Sequence, residues 1–67
     1  MVDRDLADDM LSGVEEIAAF VDQPQRRAYV LLARGELPGF KLGNIWHARK
    51  STIRAHVERL ERRDVVA

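Results

Sequence analysis

The chain contains no cysteine, which excludes a disulfide framework and any cysteine-ligated metal. Its two histidines, His47 and His56, lack the spacing and neighbours of a metal site. No apolar run approaches the ~20 residues that cross a bilayer, and the N-terminal stretch is acidic rather than basic and then apolar. There is no glycine-rich phosphate loop. The acidic neighbours Asp8-Asp9 and Glu15-Glu16 would point in different directions on a helix, so neither makes a general acid/base pair. These absences argue against an enzyme, a cofactor and a membrane partner. With 67 residues the chain holds one domain at most, small enough to be marginal without a compact core or a partner. The expectation is a soluble, cytoplasmic protein.

Net charge is zero, but it is unevenly spread. Residues 1–22 carry Asp3, Asp5, Asp8, Asp9, Glu15, Glu16 and Asp22 against Arg4 alone, a net of −6. Residues 23–67 carry Arg26, Arg27, Arg34, Lys41, Arg49, Lys50, Arg54, Arg59, Arg62 and Arg63 against Glu36, Glu58, Glu61 and Asp64, a net of +6. Such asymmetry points to nucleic-acid contact, although a solvated surface of mixed charge explains it as simply.

The pattern of elements predicts a mainly helical fold with one small hairpin. Residues 1–11 read as an acidic, frayed or loosely helical lead-in. Ser12 and Glu15 have the spacing of a capping box, and Val14, Ile17, Ala18 and Val21 form the apolar stripe of a helix over about 13–21, with Phe20 on its flank. Pro24 suits the first turn of a second helix over about 24–34, with Ala28, Leu31 and Leu32 inward and Gly35 as its stop. Two helices joined by a short turn are a helix–turn–helix pattern. Leu37-Pro38-Gly39 is a connector. The apolar arms 40–42 and 45–48, flanking Gly43-Asn44, predict a tight hairpin. Ser51 caps a third helix with Ile53, Val57 and Leu60 inward and His56 packed beside them. Glu58 and Arg62 sit four residues apart as a favourable pair. The chain frays over 64–67, leaving a domain over 12–63.

On a helical wheel Arg26, Val30 and Ala33 lie opposite the second helix's inward stripe, with Tyr29 on one flank and Arg27 and Arg34 on the other. A helix offered to the major groove reads base edges with its N-terminal residues. Arginine pairs twice with guanine and glutamine twice with adenine, so Gln25 and Arg26 are suitable readers. Val30 suits a thymine methyl. Tyr29 either bonds a phosphate or packs on the hairpin. At the hairpin tip Lys41 supplies charge, Gly43 permits close approach, and Asn44 donates and accepts; these residues also suit an ordinary turn. Trp46 is expected in the core, its N–H seeking a partner. Arg49 and Lys50 stand where they can touch backbone phosphate, which fixes register without reading sequence. Arg54, Arg59, Arg62 and Arg63 read as a solvated face.

Taken together, these motifs resemble the small MerR-like winged helix–turn–helix domains of the excisionase type. The resemblance runs over residues 13–58. It rests on the acidic helix start Glu15-Glu16-Ile17-Ala18, the basic helix Gln25-Arg26-Arg27-Ala28-Tyr29, the stretch from Gly35 to Pro38, the hairpin from Phe40 to Gly43 with Trp46, and the approach Arg49-Lys50-Ser51. It implies an α-α-β-β-α fold that places the second helix in the major groove of double-stranded DNA and the hairpin wing in the minor groove. By position Gln25, Arg26, Arg27 and Tyr29 fall in the recognition helix, and Lys41, Gly43 and Asn44 in the wing. The chain departs from the family at Pro24, where serine is usual, at Ile45, where a basic residue is common, and at His47, which replaces a frequent arginine. Those changes predict a weaker wing.

The expected function is sequence-specific DNA binding at the nucleoid, as an excisionase-like protein or a small transcriptional regulator of phage or mobile-element type. The expected partners are DNA, an integrase or other phage protein, and further copies of the chain in a dimer or cooperative array. The alternatives are a protein–protein interaction module on the same fold and the DNA-recognition part of a phage packaging subunit.

Overall fold

The computed structural model describes residues 4–65. Its elements are α1 (Arg4–Asp9), β1 (Met10–Ser12), α2 (Val14–Phe20), α3 (Gln25–Ala33), β2 (Phe40–Leu42), β3 (Ile45–Arg49) and α4 (Lys50–Val65). The three strands form one antiparallel sheet in the order β1-β3-β2. The helix–turn–helix–hairpin–helix sequence is present, preceded by a short helix and an additional strand. Residues 1–3 of the lead-in and 66–67 of the tail lie outside the described residues.

The strand β1 corrects the reading of residues 10–11 as part of a loose lead-in. Met10, Leu11 and Ser12 pair with Arg49, Ala48 and His47 of β3. Leu11 is buried opposite the buried Ala48 and joins the core with Ile17, Leu32, Leu37 and Ile53. Val14, Phe20, Val21, Leu31 and Trp46 pack around that cluster. Three residues are too few to show period-two alternation, so pairing with a distant strand decides their conformation.

Alternation along β3 turns Trp46 and Ala48 toward the helices. The cross-strand pairs Phe40–His47 and Leu42–Ile45 then share the opposite side. Among the described residues no further layer covers that side, and Leu42 and Ile45 are each 55% exposed. The hairpin arms therefore contribute to the core mainly through Trp46 and Ala48, not as a whole. The hairpin turns on Gly43, whose φ of 67° is positive while Asn44 stays negative, a pattern that needs glycine only at the first central position.

Helix ends follow local chemistry with some exchanges of role. The residue capping α2 is Gly13 (φ 90°), not Ser12. Its N–H donates to the Trp46 carbonyl at 2.7 Å, tying α2 to the sheet. The backbone N–H of Ser12 is held by the Glu16 carboxylate at 2.9 Å, so Glu16 rather than Glu15 reaches back. Pro24 sits at the cap position of α3, one residue before the helix starts. Gly35 (φ 77°) ends α3: its N–H donates to Leu32 and that of Glu36 to Leu31, the paired bonds of a Schellman motif. The same pair of bonds closes α2, from Asp22 to Ala19 and Gln23 to Ala18. There the left-handed position is Asp22 (φ 56°), where a side chain is disfavoured and an acid faces the negative end of the helix dipole.

The start of α4 is held from a distance. Ser51 does not cap it alone, because the helix begins at Lys50. Asp9, at the end of α1, accepts the Ser51 backbone N–H at 2.9 Å, the Ser51 hydroxyl at 2.5 Å and the Arg49 guanidinium at 3.1 Å. The Ser51 hydroxyl does most to hold the Asp9 carboxyl below its ordinary value near 3.8; partial desolvation opposes it, and the Ser51 N–H and Arg49 reinforce it. On α4 itself the inward stripe is shorter than its periodicity implies. Ile53 is buried, but Val57 and Leu60 are 40% and 45% exposed, because α4 continues beyond the body of the domain.

Three outcomes are expected. Leu11→Ala lowers the unfolding free energy by about 2–4 kcal/mol, as for other buried leucines; a loose lead-in would give a change within about 0.5 kcal/mol in urea titration. Asp22→Gly raises stability by about 1 kcal/mol by removing a side chain from a left-handed position, read in the same titration. Because folding lowers the Asp9 pKa, its contribution is complete above the unfolded value near 3.8 and is lost as pH falls through the folded one. The gap in urea midpoint between wild type and Asp9→Asn is therefore constant at neutral pH and closes in acid.

Candidate nucleic-acid interface

Helix α3 begins after an extended Pro24 and is oriented by burying Ala28 and Leu32. That choice of buried face leaves Gln25, Arg26, Arg27, Tyr29, Val30, Ala33 and Arg34 exposed. Tyr29 is among the exposed large side chains, so it does not bury itself against the hairpin. Arg26 and Arg27 make no ion pair among the described residues, and the first turn of α3 holds no acid. Arg34 differs, with its guanidinium 3.5 Å from Glu36. These side chains are brought together on one helix, with a guanidinium pair at its leading end.

The hairpin tip presents a second group. Lys41, Leu42, Gly43, Asn44 and Ile45 are all exposed. Lys41 pairs across the ladder with Trp46, and its ammonium lies 5.2 Å from that ring's centre. The cation is thus drawn back along the sheet, and the turn itself offers backbone and the Asn44 amide flanked by two apolar side chains. Behind the hairpin Gly39 allows β2 to approach α3. A β-carbon there would stand 2.5 Å from a Leu32 methyl and 3.1 Å from the His47 carbonyl oxygen.

Arg49 and Lys50 occupy the junction of β3 and α4, as the sequence suggests, but the junction already holds an anion. Asp9 binds the Ser51 N–H and hydroxyl and pairs with Arg49. It thereby fills the position where a phosphate would meet a helix N-terminus. Sequence reasoning missed this contact. No local pattern signals it, since Asp9 and Ser51 are 42 residues apart.

The remaining candidates take structural roles. The His56 Nε2–H donates to the Glu36 carbonyl at 3.0 Å, pinning the connector after α3 onto α4. The His47 Nδ1–H donates to the Ile45 carbonyl at 3.0 Å, and its ring stacks on Phe40 with centroids 6.1 Å apart. Trp46 packs against the core as expected, but its buried Nε1–H has no partner among the described residues. The described residues contain no cluster of histidine and acidic side chains able to hold a metal, and no helix long and apolar enough to cross a membrane.

Scans of known protein families, curated proteins and solved structures find no match to this chain, so the reading of this surface rests on its own geometry and charge.

Proposed function

We propose that the chain is a sequence-specific double-stranded DNA-binding domain of winged helix–turn–helix type, with α3 in the major groove and the β2–β3 tip at the adjacent minor groove. One observation carries the reading. Arg26 and Arg27 stand in the first turn of α3, which holds no acid, and make no ion pair among the described residues. Cations at a helix N-terminus are opposed by the helix dipole, so these side chains do not stabilise the fold where they are. A polyanion offsets that cost. Exposed Gln25 beside them, Tyr29 and Val30 one turn on, and the glycine turn of the hairpin complete a surface suited to base edges and phosphate.

Gln25, Arg26 and Val30 read bases in this scheme. Arg27, Tyr29 and Arg34 contact phosphate, and Gly43 and Asn44 approach the minor groove. Lys41 and Lys50 add charge. Arg49 contributes less than its sequence position suggests, because Asp9 already neutralises it. The biological setting that fits is an excisionase-like protein or small regulator of phage or mobile-element type. A packaging subunit would use the same surface.

The exposed apolar side of the sheet, with Phe40, Leu42 and Ile45, favours a second reading as a protein-interaction module. The two are separated by selecting duplexes from a random pool and titrating the winner by fluorescence anisotropy. DNA binding predicts an affinity that falls linearly in log–log form with salt, with a slope near −0.9 for each phosphate neutralised. Arg26→Ala is expected to cost about 1–3 kcal/mol and to relax preference at one base position. Arg27→Ala should weaken all sequences alike and reduce the salt slope by about one. An unselective pool at every salt concentration would contradict the proposal and favour the interaction module.

A further inference from the structure

The tip of the hairpin lacks the charge that a phosphate contact needs. From Phe40 to His47 the one cation is Lys41, and its ammonium lies 5.2 Å from the centre of the Trp46 ring. Lys41 and Trp46 are a cross-strand pair on the helix side of the sheet. Arg49, at the far end of β3, is held by Asp9. What the tip does offer is Leu42 and Ile45, the last pair of the ladder before the turn. Each is 55% exposed, more than any other large apolar side chain among the described residues. They share one side of the ribbon, and directly opposite side chains stand about 5 Å apart at their β-carbons. The turn between them adds little bulk. Gly43 has no side chain, and a β-carbon there would meet nothing within 4 Å.

A narrow apolar pair of this kind fits one feature of a duplex. The minor groove is roughly 6 Å wide, and proteins that enter it use leucine, isoleucine and phenylalanine as wedges that open a base step and partly unstack it. Such a wedge neutralises no phosphate, so it holds the tip in the groove without the cation that the tip does not present. The step must open at low cost. Pyrimidine–purine steps unstack most readily, and A·T pairs leave no exocyclic amino group in the minor groove. A TA step meets both conditions.

Resting on the DNA-binding reading, we propose that Leu42 and Ile45 form an apolar wedge that partly unstacks one TA step in the minor groove beside the bases read by α3. The hairpin then selects sequence through the ease with which the duplex deforms, and α3 selects it through hydrogen bonds to base edges.

Permanganate oxidation of the selected duplex tests the proposal, because a thymine reacts faster once it is unstacked. The selected site is expected to hold a TA step one groove away from the α3 contacts. Wild type should raise the reactivity of the thymines of that step about threefold or more on binding, and leave the other thymines unchanged. The double variant Leu42→Thr/Ile45→Thr keeps residues suited to a strand at two exposed positions, so its far-ultraviolet circular dichroism should match wild type. It should lose the rise in reactivity and bind about tenfold more weakly. Its salt slope should stay that of wild type, since no phosphate contact is removed. Replacing TA by AA should cost wild type about tenfold and the double variant less than about twofold. Failure to bind any duplex selectively overturns the DNA-binding reading and the wedge with it. Selective binding with no rise in thymine reactivity, or a double variant within about twofold of wild type in affinity, overturns the wedge alone and leaves Leu42 and Ile45 to a protein partner. A weaker double variant with a shallower salt slope also overturns it, and assigns the tip to phosphate contact.

Discussion

The fold depends on β3 being paired along both of its edges. On one edge it takes the hairpin partner β2, which the chain supplies locally through Gly43. On the other it takes β1, more than thirty residues away in sequence, which buries Leu11 against Ala48. Two contacts hold that distant strand in register. The Gly13 N–H reaches the Trp46 carbonyl, and Asp9 binds the start of α4 through Ser51 and Arg49. A two-stranded hairpin alone is marginal in water. A third strand turns it into a sheet with one buried face, against which α2 and α4 can pack. For a domain of this size that addition matters, because small domains bury a low fraction of their surface.

The acidic start of the chain takes on a meaning that its composition does not suggest. Charge counting sets the acidic first third against the basic rest and assigns no role to any single acid. In the folded protein one of those acids, Asp9, is a structural ligand for the N-terminus of α4 and for Arg49. Residues that close the fold thus also consume one of the basic groups that the sequence offers for phosphate. On α3, Arg26 and Arg27 make no ion pair among the described residues, and the helix dipole opposes them.

Locally encoded features were legible in the sequence. Gly35 ends α3 in the expected way, the Gly43 turn forms the hairpin, and the stripe containing Ile17, Ala18, Ala28 and Leu32 faces inward. Each depends on backbone chemistry or periodicity within a few residues. Features set by distant partners were not legible. Leu11 looked like part of a loose lead-in, because three residues cannot display a strand period. Nothing local marks Asp9 as a helix ligand, because its partners lie forty residues on. Val57 and Leu60 continue the stripe of Ile53 in sequence but run past the body of the domain, so periodicity overstated their burial. The apolar hairpin arms misled in the same way: alternation turns Leu42 and Ile45 to the uncovered side of the sheet. The exposure of the α3 face was readable, since it follows from which residues the helix buries.

The claim that this surface meets DNA is tested most directly by following backbone amide resonances while a selected duplex is added to isotope-labelled protein. The account predicts the largest shifts over residues 25–34 and 41–44, with α1 and residues 57–61 of α4 little changed. Shifts confined to α4 or the outer side of the sheet, or none at low salt, would contradict it.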